Sequence, residues 1–494
     1  MNKALSFMLI VLLLFAAVPV ASAQEDDDKA ENMVDVVELS LSECLDTGLT
    51  NNLDIKIAKI EALIKKEDIP LAESIFDTFL SGNINYSDDQ RDTDSPLFGT
   101  KTLTTNYGLG LTKKIPTGTE LAIDYIDTRT WTNRLFTETN PVHEAELSFS
   151  LRQPVMRNFF GYVDRREVVL AKIESELADI KVMDRIENSI ADISKAYWEI
   201  VYEYQNVALM EQLLDEAEEL YKRYEKHLTS GLVEETELYE VEANMRIRRA
   251  NLIISQNDLI SASNRLLLLL NEEEYFLIMP LDKLETLWGE ADLVESLNEA
   301  FVSNRNYRMK KKELDGAKVT LKMKENSLWP QVDLVGTFSS NGVDRKFQKA
   351  QKTLGTSNYP YYYGGVEFSI PLDNREARSE FNKAGLRKEK GILEIMQVEK
   401  MIFTGVDEKV RDVNMNLENA KRWAKITKIQ HTKFREEEKK LKYGRSTSKI
   451  VVDYQNDFFL AALREYRTIL EYYWSLIDLE NGKDTLLKRI GIFN

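Results

Sequence analysis

The chain has one cysteine, Cys44, and three histidines, His143, His227 and His431, among 494 residues. A single cysteine excludes an internal disulfide, and the histidines fall in unrelated segments without the paired spacing of a metal site. No Gly-x-Ser-x-Gly elbow and no phosphate-cradling glycine loop occurs. Carboxylates are so numerous, 82 against 65 basic residues, that no pair stands out as acid and base. No catalytic residue, cofactor or metal is therefore expected, and the chain does not read as an enzyme. The net charge of −17 makes nucleic acid a poor partner. Long apolar runs are also missing beyond the N terminus. The most apolar stretch, residues 266–270, lies between Arg265 and the acidic Glu272, Glu273 and Glu274, so no later segment can cross a bilayer as a helix. Any further membrane contact must use strands.

The N terminus is different. Asn2 and Lys3 precede the apolar run 4–20, and Ala21, Ser22 and Ala23 are the small residues a signal peptidase needs. Residues 1–23 are read as a signal peptide cleaved after Ala23, which directs the chain into the envelope. Cys44 follows Glu43 well beyond that site, unlike a lipid-modified cysteine.

Glycine and proline are absent from residues 162–230 and again from 232–279. At about 1.5 Å per residue the first stretch reaches roughly 100 Å as a helix. Ile190, Ile193, Tyr197, Ile200, Tyr204 and Val207, then Leu214, Ala217, Tyr221, Tyr224 and Leu228, recur at steps of three and four, a coiled-coil seam. Gly231 is read as the turn between two antiparallel helices. Gly444 takes its place later in the chain, before a last helix carrying Phe459, Ala462, Tyr466, Ile469, Tyr473 and Leu476 at the same spacing. Gly385, Gly391 and Gly405 interrupt the preceding helix at about 1 kcal/mol each against Ala, and are read as bends or close packing.

The chain is duplicated. A shift of 252 positions carries Leu41, Glu43, Leu45 and Asn52 onto Leu293, Glu295, Leu297 and Asn304, and Leu80 to Tyr86 onto Val332 to Phe338; a shift of 213 carries Leu228, Gly231 and Leu238 onto Leu441, Gly444 and Val451. The expected units are 24–280, with strands about 79–152 and a helical hairpin about 160–279, and 281–494, with strands about 331–371 and a hairpin about 374–490. The strand segments alternate: Tyr362, Val366, Phe368 and Ile370 face one way and Glu367 and Ser369 the other, while Leu147, Phe149 and Leu151 alternate with Glu146, Ser148, Ser150 and Arg152. Such strands suit either a membrane barrel, with Tyr359, Tyr361, Tyr362 and Tyr363 at its interface, or an ordinary half-buried sheet. Residues 104–112 and 119–127 form a further hairpin without counterpart in the second half. It either adds strands to the sheet or decorates one of its ends.

The order of these parts resembles the TolC family of outer-membrane efflux and secretion channels over nearly all of the expected mature chain. Residues 39–52 (LSLSECLDTGLTNN) are similar to the family's opening helix and 327–334 (SLWPQVDL) to its helix-to-strand junction. Residues 368–372 (FSIPL) resemble the return from strand to helix, and 444–453 (GRSTSKIVVD) a hairpin tip. The resemblance implies a mainly α fold with a membrane β-barrel shared by a homotrimer, long coiled-coil hairpins forming a periplasmic tunnel, and passive conduction for an inner-membrane transporter and a periplasmic adaptor protein, in efflux or type I secretion. It implies adaptor contact at the tips, here Ser230, Gly231, Leu232 and Val233 with Tyr443, Gly444, Arg445 and Ser446. It also implies acidic pore rings six and nine positions after the second tip glycine. Asp453 stands at nine, but Ile450 at six breaks the pattern; Glu237 and Glu240 stand at the equivalent positions of the first half, where three residues apart they share a helix face. Carboxylate rings favour cations, whereas charge runs are ordinarily solvated helix faces. A periplasmic adaptor or a structural envelope coiled coil are the rival readings. The duplication speaks against the first and the alternating strands against the second.

Overall fold

The computed structural model describes residues 36–92, 99–135, 137–285, 289–356 and 360–491. The expected signal peptide and Tyr359 lie outside them.

Each half opens with two capped helices. Ser40 and Glu43 form a capping box at the start of α1 (Leu41–Asn51). Asn52 then accepts the Ile55 N–H at 3.1 Å to start α2 (Leu53–Glu73). In the second half Asp292 caps α5 (Leu293–Ser303), and Asn304 accepts the Tyr307 N–H at 2.8 Å to start α6 (Arg305–Asn326). Asn52 and Asn304 are thus the same N-cap in two copies, each satisfying a backbone donor that the first turn leaves free.

The long hairpins repeat with equal lengths. α3 (Tyr162–Thr229) and α8 (Arg375–Lys442) have 68 residues each, and α4 (Glu235–Leu270) and α9 (Ser448–Lys483) have 36 each. All eight ends obey the shift of 213. The hairpins bury the expected seam: Ile190, Ile193, Tyr197 and Ile200 are fully enclosed, as are Leu266 and Leu267 opposite them. Tyr204 departs from the seam and is exposed. Of the three interrupting glycines only Gly391 is explained by packing, since an added Cβ would stand 3.3 Å from Leu314 of α6. Gly385 and Gly405 face open space in this chain, and α8 runs through all three. Among the described residues no helix is long and apolar enough to cross a membrane.

The strands form one antiparallel sheet of six, in the order β2 (Thr78–Asp89), β3 (Thr102–Lys114), β4 (Glu120–Thr132), β5 (Val142–Pro154), β7 (Gln331–Asp344) and β8 (Pro360–Ser369). The extra hairpin, β3 and β4, is therefore part of the sheet, between β2 and β5. Three further elements had no sequence-based expectation. β1 (Val36–Leu39) pairs in parallel with β6 (Leu277–Pro280) midway along the helical body. A nine-residue helix, α7 (Phe347–Gly355), lies between β7 and β8.

Candidate functional site

Strand register decides what the sheet presents. Because successive side chains alternate, the cross-strand row Leu80, Leu111, Ile123, Phe149, Phe338 and Tyr362 lies on one face. The adjacent row Ser81, Gly110, Asp124, Ser148, Ser339 and Tyr361 lies on the other. The rows beyond keep the division. Leu109, Tyr125, Leu147, Val366 and Phe368 join the first face. Asn83, Asn106, Glu146, Ser150, Thr337 and Glu367 join the second, with exceptions such as Phe79 and Ile126. The tyrosine cluster is split: Tyr362 is on the apolar face, Tyr361 and Tyr363 on the polar one.

Among the described residues neither face is covered by a second apolar layer along its length. Ile84 is 76 % exposed and Phe368 77 %, on β2 and β8, each of which has a neighbour on one side only. A half-buried sheet would hide one of its faces. On the polar face Arg152 bridges three strands, holding Asp333 at 2.8 Å and Glu367 at 2.7 Å.

At the opposite end of the long helices the two tips share one construction. Gly231 (φ 69°) and Gly444 (φ 67°) adopt the left-handed conformation that glycine enters without a Cβ clash. Leu232 N–H donates to His227 O at 2.9 Å and Gly231 N–H to Leu228 O at 2.9 Å; Arg445 donates to Lys440 O at 2.9 Å and Gly444 to Leu441 O at 3.0 Å. This pair of bonds closes a helix with a Schellman motif. The tips adjoin, and a cleft between them is lined by Tyr224, Leu232, Val233 and Glu237 on one side and Lys442, Gly444 and Ser446 on the other. Leu232 and Tyr443 project into solvent, and Ser446 donates to Glu437 at 2.7 Å.

The three acidic candidates are placed differently. Asp453 is exposed, between the buried Val452 and the half-buried Tyr454, and makes no hydrogen bond or ion pair among the described residues. Glu237 and Glu240 are half-buried, on the side of α4 toward Tyr224. Burial chiefly, with these two carboxylates adding to it, pushes the Tyr224 phenol above its ordinary pKa.

Sequence reasoning missed a polar layer above the tips. Arg248 is 2 % exposed, stacks over Phe459 at 4.8 Å and donates to Asn456. Burial holds its pKa below the ordinary arginine value. Gln455 donates to Glu216 at 3.2 Å, and Arg435 reaches the other oxygen of Glu216 at 3.1 Å. The layer ties α3, α4, α8 and α9 by hydrogen bonds, between one apolar cluster around Leu213 and Phe459 and another around Leu220, Val241 and Val452. Polar residues scattered along four helices give no sequence signal of their convergence.

No family model matches the sequence, and no curated protein does. Solved structures do. The CmeC outer membrane channel of Campylobacter jejuni aligns over 90% of this chain and 86% of its own, at 13% identity and a TM-score of 0.65. CusC aligns over 92% and 94%, at 13% identity and a TM-score of 0.69. The open state of the MtrE outer membrane channel of Neisseria gonorrhoeae aligns over 91% and 90%, at 15% identity and a TM-score of 0.66. The chain therefore has the fold of these outer-membrane channels, from the duplicated helical hairpins to the strands between them, in keeping with its resemblance to the TolC family.

Proposed function

We propose that the chain is one protomer of a homotrimeric outer-membrane channel, a passive duct running from the periplasm to the exterior. The observation that carries this reading is the two-faced sheet with two open edges. Strands of 13 residues extend about 43 Å, or roughly 30 Å in height at a 45° tilt, the thickness of a bilayer's hydrocarbon core. Open edges are not tolerated in lipid. Six antiparallel strands leave β2 and β8 pointing in opposite directions, so the β8 edge of one copy can pair antiparallel with the β2 edge of the next. Three copies give an 18-stranded barrel, apolar outside and polar inside.

The helices ask for neighbours as well. Ile57, Ile60, Ile64 and Leu71 form an exposed stripe at coiled-coil spacing on α2, and Leu386, Leu393 and Phe403 another on α8. In a trimer these stripes seal the tunnel wall against adjacent protomers. The tips around Gly231 and Gly444 are the narrow end and meet a periplasmic adaptor joined to an inner-membrane transporter, which selects the cargo for efflux or type I secretion. Asp453, with Glu237 and Glu240, supplies the acidic lining of the aperture.

Envelope fractionation tests the reading. A heat-sensitive trimer in the outer membrane is the expected result; a monomer released with the soluble periplasm, or material held only by the inner membrane, contradicts it.

A further inference from the structure

The helix α7 finds no use in conduction. It packs on the apolar face of the sheet, not above it: Ala350 is fully buried, and an added Cβ on Gly342 would collide with the Ala350 carbonyl and stand 2.9 Å from the Leu354 amide. Ser340 donates to Leu354 O at 3.1 Å, Gln351 donates to Tyr125 at 2.6 Å, and the Phe347 ring lies 5.7 Å edge-on to His143. Gly342, Ser340, Tyr125 and His143 all belong to the face of Phe149 and Phe338. Close by on that face is Asp127, fully enclosed, its Oδ2 2.9 Å from His143 Nδ1 and its Oδ1 without a partner among the described residues. A carboxyl directed at hydrocarbon is costly, so a helix that shields this pair has a structural reason to stay docked.

Its outer side is strongly basic. Residues 345–356 hold Arg345, Lys346, Lys349 and Lys352 and no carboxylate, in a chain of net charge −17. All four cations are exposed, and none has an ion-pair partner among the described residues. Lys349 and Lys352 lie on the side of α7 away from Ala350. Height places them. Asp344 is six residues beyond Phe338 on β7, about 20 Å along the strand and roughly 14 Å in height at a 45° tilt, which is half the hydrocarbon thickness. Arg345 and Lys346 thus leave the barrel wall at the headgroup level of the leaflet farthest from the helices, and Lys349 and Lys352, on the turns of α7 that run back along the wall toward Ser340 and Tyr125, reach that level with their long flexible side chains.

We propose that α7 is a docking surface for lipids with anionic phosphate headgroups in that outer leaflet, the basic side of the helix binding the phosphates while its other side covers Asp127 and His143. The proposal rests on the channel reading, which places the apolar face in lipid.

The test uses the full-length trimer in vesicles of phosphatidylcholine containing a minority of phosphatidylglycerol, with the lipids retained on extraction counted by mass spectrometry. Each cation near an anionic surface contributes roughly a fivefold preference, so the pair K349Q/K352Q is expected to lower phosphatidylglycerol enrichment roughly tenfold or more, and K349R/K352R to preserve it. Equal retention by the native trimer and K349Q/K352Q overturns the proposal while leaving the channel in place. Enrichment abolished by added inorganic phosphate overturns it also, since that identifies a free-anion site. Failure of the native protein to enter vesicles at all removes the channel reading, and this one with it.

Discussion

Phe149 on β5 and Phe338 on β7 stand directly opposite each other across the seam where the two halves of the chain join. They belong to a row that is apolar on all six strands, one residue away from a row dominated by small and polar side chains. Position within the pleat, not hydrophobicity averaged along the sequence, therefore decides what a substitution does. Phe338→Arg is expected to cost about 2–4 kcal/mol of barrel stability, the range for a cation at mid-membrane. Its neighbour Thr337→Arg, on the polar face, is expected to cost far less. Urea titration of the trimer in detergent or vesicles compares them, and equal losses would remove the assignment of faces.

The exposed stripe on α2 gives a second prediction. Ile60 is 57 % exposed in the isolated chain, so Ile60→Lys leaves the protomer's own core intact and acts only on association. Placed in a packed interface, the lysine carries a desolvation penalty without a partner. Loss of trimer with retained helical circular dichroism is expected; a trimer of unchanged heat resistance would take α2 out of the interface.

At the aperture, Asp453→Asn is expected to weaken cation preference in single-channel recordings, and the double change Glu237→Gln with Glu240→Gln to weaken it through a second ring. Unchanged selectivity and conductance for Asp453→Asn would place that carboxylate outside the pore. The polar layer above offers a related test. Gln455→Ala leaves Glu216 and Asn244 short of a partner, a loss of about 1–3 kcal/mol, so the hairpins are expected to separate more readily, read as a larger conductance in the same recordings.

Cys44 supplies a pH-dependent prediction. It is 1 % exposed, and burial, aided by Glu43 and Asp282, pushes its thiol from 9.0 up to about 12. The thiolate is the reactive form, so native protein at pH 8 is expected to resist an aromatic disulfide reagent that labels the unfolded chain at once. The folded state holds this proton more tightly than the unfolded one. Its contribution to stability is therefore complete below pH 9 and declines as the pH rises from 9 toward 12. Rapid labelling of the native trimer at pH 8 would contradict the buried environment.

The repeat was legible because it is written as spacing. The shift of 252 located Asn52 and Asn304 as equivalent positions, and the structure gives both the same capping bond. The shift of 213 located Gly231 and Gly444, and every end of the four long helices follows it. The 39-residue difference between the shifts falls in the strand region, where the first half has four strands and the second two.

Non-local pairing was not legible. β3 and β4 were recognisable as a hairpin, but alternation alone does not say which strand edges pair, so their place between β2 and β5 was not; nor was the pairing of β5 with β7, which joins Phe149 to Phe338 in the other half of the chain. β1 and β6 are four residues each and pair across some 240 positions. The nine residues of α7 are too few for a helical period to declare itself between two strands. In the site, the glycine tips were readable from their conformational requirement. The exposure of Asp453 against the half-burial of Glu237 and Glu240 was not, because helix spacing fixes which residues share a face but not which face lines a lumen that three chains enclose.

The central claim, a passive conducting duct, is tested most directly by adding the purified native trimer to a planar lipid bilayer under an applied voltage. The account predicts discrete current steps in the absence of any nucleotide or other energy source, with a cation preference that Asp453→Asn reduces. A trimer that inserts into the bilayer yet passes no current, even after the hairpins are loosened by Gln455→Ala, would contradict it.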